Sequence, residues 1–113
     1  MIEGTAGLVI AFLLLTLIVQ VAGAAVARNA AEAVVGAAAR RASRPGALVE
    51  AEEARLAADL QTALPGATGV RVFIDLRPKR ALATARFRWL PPGPGWLPLT
   101  IVVQAAAPRM VPP

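Results

Sequence analysis

The chain has 113 residues and a formal charge of +5; 57% of its residues are hydrophobic, 17% charged and only 4% aromatic. It contains no Cys and no His, which excludes thiol and imidazole chemistry, a disulfide framework and the common zinc sites. So much apolar content with so few aromatic rings is not the composition of an ordinary globule; it comes from Ala, present 26 times, and from one continuous apolar run.

That run comes first. From Gly4 to Ala27 there are 24 residues without a charge, centred on Leu8-Val9-Ile10-Ala11-Phe12-Leu13-Leu14-Leu15-Thr16-Leu17-Ile18-Val19. As a helix the run is about 36 Å long, enough to cross a hydrocarbon layer of about 30 Å. The small residues from Ala22 to Ala27 raise a cleavable signal peptide as the rival reading. Against it, no Lys or Arg precedes the run, and the run exceeds a typical signal-peptide core.

Nothing between Arg28 and Ser43 stops the helix, because the stretch has no Pro and is rich in Ala; Arg44-Pro45-Gly46 then breaks it. The expected division is therefore 1–46, a transmembrane helix with its extramembrane extension, and 47–113, a small α+β soluble domain. A second helix is expected over Ala47 to Leu64, with Val49, Leu56, Leu60 and Leu64 on one face and Pro65-Gly66 at its end. Its charged residues Glu50, Glu52, Glu53, Arg55 and Asp59 read as a solvated face, with the acidic ones favoured near the helix start by the dipole.

The period then changes to two. Val70, Val72, Ile74 and Leu76 alternate with Arg71, Phe73 and Asp75, and after a turn at Arg77-Pro78-Lys79-Arg80 the stretch from Ala81 to Leu90 places Ala83, Ala85, Phe87 and Trp89 on one face. Those two segments form a hairpin. A loop rich in Pro and Gly, from Pro91 to Pro98, leads to a third strand from Leu99 to Ala107. The expected fold class is α+β: a long N-terminal helix, a second amphipathic helix, and a small three-stranded antiparallel sheet. No internal repeat is present.

No catalytic constellation is visible. Ser43 is the one Ser and no His exists to activate it, and Gly93-Pro94-Gly95 places Pro where a phosphate loop needs backbone donors. The chain is read as a non-enzyme without cofactor, metal or small-molecule substrate. Its basic residues lack the aromatic interleaving of a nucleic-acid reader, so nucleic acid is not an expected partner. Two places are candidate contact sites. Glu3 at the mouth of the apolar helix is either a carboxylate satisfied by the helix dipole or a counter-charge for the terminal amine of a neighbouring subunit. Trp96 and Leu97, among Pro91, Pro92, Pro94 and Pro98, either form a preorganised contact surface or fold back to cap the sheet.

The arrangement resembles a known family. A short start carrying Glu3, an apolar helix and then Asn29-Ala30-Ala31-Glu32-Ala33-Val34-Val35-Gly36-Ala37-Ala38-Ala39-Arg40 is similar to the TadE-like proteins of tight-adherence (Flp, type IVb) pilus systems. The Trp96 loop before a strand ending Val102-Val103-Gln104-Ala105 is similar to actinobacterial members. The resemblance implies a minor pilin or pseudopilin acting in assembly or priming of the pilus. It also implies a single-pass protein of the cytoplasmic membrane with its C-terminal domain outside the cytoplasm, and other pilins or pilus-assembly proteins as partners. Two alternatives stand beside it: a single-pass subunit of another secretion or envelope complex, and a secreted α+β domain behind a signal peptide. Processed family members carry a basic leader before the matching Glu, whereas only Met1 and Ile2 precede Glu3 here. Without a leader, Arg28, Arg40, Arg41 and Arg44 put the C-terminal domain in the cytoplasm by the positive-inside rule. The resemblance implies the opposite, and is the reading followed.

Overall fold

The computed structural model describes residues 2–90 and 98–109. Two helices and three strands follow one another: α1 (Ile2–Ala42), α2 (Val49–Ala63), β1 (Thr68–Leu76), β2 (Arg80–Trp89) and β3 (Leu99–Pro108). The strands form one antiparallel sheet in the order β1-β2-β3. The fold class is the α+β arrangement expected from the sequence.

Element boundaries move by one or two residues, each for a local reason. The Arg44 N–H bonds to the Arg41 carbonyl and the Ala47 N–H to the Arg44 carbonyl, so the turn occupies donors that a helix from Ala47 leaves free. Gly46, at φ +79, supplies the left-handed step in that turn, and α2 begins at Val49. At its other end, Leu64 precedes Pro65, whose ring disfavours helical backbone before it; Leu64 sits at φ −128, ψ 77 and closes α2 with its N–H on the Leu60 carbonyl.

Both helices lie on one face of the sheet. The C-terminal part of α1 packs on β3 and β2, and α2 packs on α1 and β1. Among the described residues 18 apolar side chains are buried, and six of them belong to α1: Ala27, Ala31, Val35, Ala38, Ala39 and Ala42. Their spacing of three and four marks one helical face. Opposite them the central strand offers Ala81, Ala83 and Ala85, all fully buried, before Phe87. Small side chains thus line both surfaces of the seam, and Phe87, Leu56, Leu60 and Val35 are the largest side chains fully buried around it.

The acidic residues of α2 do more than face solvent. Arg41 of α1 reaches Glu52 at 3.0 Å and Asp59 at 3.4 Å, so one guanidinium ties the two helices together. Glu53 accepts a hydrogen bond from the Ile74 N–H of edge strand β1 at 3.3 Å. Three of the carboxylates read from the sequence as a solvated face thus hold α2 against α1 and the sheet.

The expected division at residue 46 falls in the α1–α2 turn, yet the core crosses it. Removing α1 strips five buried Ala methyls and one Val, a loss of roughly 6 kcal/mol in burial. That is comparable with the entire stability of a small domain, about 5–15 kcal/mol. A fragment of residues 24–113 should therefore unfold cooperatively, whereas 47–113 should show no cooperative thermal transition by circular dichroism.

Candidate subunit-contact and membrane-spanning helix

The functional candidate is the other half of α1. From Ile2 to Val26 no residue is buried, and burial starts at Ala27. The exposed side chains include Leu8, Ile10, Phe12, Leu13, Leu14, Leu15, Leu17 and Ile18, each more than half exposed. Apolar residues surround the helix on all sides, so there is no stripe that one protein surface could cover. Mean hydropathy reaches 2.6 over 18 residues, none of them buried, and the helix is long and apolar enough to cross a membrane. Its lack of burial separates it from the core helix of a soluble protein.

One polar group inside this arm, the Thr16 hydroxyl, is accommodated within the helix itself. It donates to the Phe12 carbonyl at 2.9 Å, which satisfies it without water, as an apolar surrounding requires. The first charges beyond the arm, Arg28 and Glu32, form an exposed pair one turn apart at 3.2 Å. All 41 residues of α1 are continuous helix; at 1.5 Å per residue that is a rod of about 60 Å. The molecule measures 76 × 21 × 15 Å, because half of this rod extends beyond the packed head.

Glu3 lies in the first turn of α1, exposed, where the dipole favours a carboxylate. Among the described residues it has no ion-pair partner. The other two predicted contact residues, Trp96 and Leu97, lie outside the described residues. Glu3 and the sheet are thus on separate parts of the molecule, one on the arm and the other in the head.

The sheet also gathers residues that sequence reading left apart. Arg71 of β1 stands directly opposite Arg86 of β2, and Arg88 stands between Thr68 of β1 and Thr100 of β3. Alternation along β2 puts Arg86 and Arg88 on one face, and the pairing register adds Arg71 from β1. Comparison with family models, with curated proteins and with solved structures finds no match.

Proposed function

We propose that the chain is a pilin-like, TadE-like membrane protein that acts in assembly or priming of a tight-adherence pilus. The observation that carries this reading is the division of one unbroken helix into an apolar arm exposed on all sides and a second half buried under a small antiparallel sheet. Such an arm suits two surroundings in turn. In the bilayer its side chains face lipid, and in a bundle of like arms they face one another, since both environments are apolar. Glu3 supplies direction in the bundle: a lone carboxylate in an apolar layer needs a cation, and the terminal amine of an adjacent subunit is the complementary charge. The partners are other pilins or pilus-assembly proteins, and the head stands outside the cytoplasm.

The orientation is read with a single cysteine in place of Lys79, an exposed residue in the β1–β2 turn of a chain without Cys. An impermeant maleimide should label K79C in intact cells or spheroplasts. Labelling only after lysis would remove the pilus reading.

The role of the carboxylate is read with Glu3→Leu and Glu3→Asp at equal protein level. Glu3→Leu should still enter the membrane but bind partner pilin at least about 30-fold more weakly, read as loss of partner on co-purification, the order expected when one member of a desolvated ion pair is removed at a cost of about 2–5 kcal/mol. Glu3→Asp, with its charge kept and its reach shortened, should be intermediate. Unchanged recovery with Glu3→Leu would make Glu3 a helix-end carboxylate and nothing more.

A further inference from the structure

The sheet face turned away from the helices carries an arrangement that fold stability does not explain. Arg71 and Arg86 are cross-strand partners, and Arg88 follows two residues along β2 on the same exposed face. Directly opposite residues hold their Cβ atoms about 4.5–5.5 Å apart, and like charges there destabilise the sheet. Among the described residues none of these three guanidiniums forms an ion pair: Asp75, the carboxylate on the outer face of β1, is taken by Arg77 at 3.1 Å. Three unpaired cations thus share one small area.

A bulge completes the site. The register slips between Thr68 and Arg71, so that two residues of β1, Gly69 and Val70, oppose Phe87 alone. Gly69 takes φ +61, the left-handed backbone that this type of bulge needs. Without the extra residue, Thr68 would point toward the helices; with it, Thr68 joins the outward face as the partner of Arg88. Thr100 flanks Arg88 from the other side. Thr68, Arg71, Arg86, Arg88 and Thr100 all line one cleft of about 480 Å³, predominantly polar and open to solvent. Forked cationic donors flanked by hydroxyl groups match the oxygens of a phosphate group.

We propose that this cleft binds a phosphate group, carried by a soluble phosphate or by the headgroup of an anionic phospholipid. Arg71 and Arg86 grip it from adjacent strands, Arg88 adds the third positive charge, and the hydroxyls of Thr68 and Thr100 donate to the remaining oxygens. The bound anion relieves the repulsion between Arg71 and Arg86, so occupancy stabilises the head. This site is independent of Glu3 and of the pilus reading.

Thermal unfolding of the full chain in neutral detergent micelles, followed by circular dichroism, tests the site in two arms. One compares inorganic phosphate with chloride at equal ionic strength; the other compares micelles doped with phosphatidylglycerol with micelles doped with phosphatidylcholine. The expected result is a rise in Tm of about 5 °C in at least one arm, the size given by ligand at roughly ten times its Kd acting on a small domain. A rise in the first arm identifies a soluble phosphate, and a rise in the second alone identifies a lipid headgroup. The Arg71→Gln, Arg86→Gln double variant should lose the rise while its own Tm stays level or increases, because the like-charge pair is gone. Arg88→Gln should reduce the rise, and Lys79→Gln, at the other end of the hairpin, should leave it intact. No rise in either arm, or the same rise in the double variant, would overturn the proposal.

Discussion

The structure depends on the packing of α1 against the sheet, on β3 and on the central strand β2. Ala27, Ala31, Ala38, Ala39 and Ala42 on the helix, Ala81, Ala83 and Ala85 on β2 and Ala107 on β3 are all buried, so small side chains line much of the seam between helix and sheet. Larger side chains on this seam would force the two layers apart, at a typical cost of about 1–3 kcal/mol for each overpacked site. Because the seam is thin, Phe87 and Val103 from the sheet and Leu56 and Leu60 from α2 close the core around it. A chain with few aromatic residues can build a core in this way, through proximity instead of bulk.

The same contact joins the two halves of the molecule mechanically. α1 leaves the head without a Pro or a break; its last buried residue toward the N-terminus is Ala27, Gly23 and Ala24 one turn earlier are half-buried, and the apolar arm before them is largely exposed. The exposed arm therefore inherits its direction from the Ala seam. Arg41 fixes α2 on the same helix through Glu52 and Asp59, so the last turn of α1 is held on a second side. An arm mounted in this manner presents Glu3 at a set distance from the head, as the proposed role in a bundle of arms requires.

Much of this was legible in the sequence because the two periodicities are clean. Val70, Val72, Ile74 and Leu76 face the helices, as alternation requires, and Leu56, Leu60 and Leu64 line the buried side of α2. Alternation broke down at Thr68, where the extra residue of the bulge reverses the facing; a Gly ahead of an alternating run was the only trace of it. The core face of α1 was hidden for a different reason. In a stretch where most residues are Ala, the buried and exposed faces have nearly the same hydrophobicity, and periodicity has no contrast to detect. Ionic ties such as Arg41 to Glu52, and the meeting of Arg71 with Arg86, join residues far apart in sequence, and these follow only from packing and strand register.

One uninterrupted helix serves as both the apolar arm and part of the core of the head. Hydrogen–deuterium exchange of the full chain in lipid nanodiscs tests it most directly, residue by residue along α1. A continuous helix gives unbroken protection from the arm through Ala42, with no fast-exchanging amides between Gln20 and Glu32 and with Ala31 to Ala42 as slow as the strands. A fast-exchanging break near Ala24 to Asn29, or exchange from Ala31 to Ala42 much faster than in β2, would contradict it.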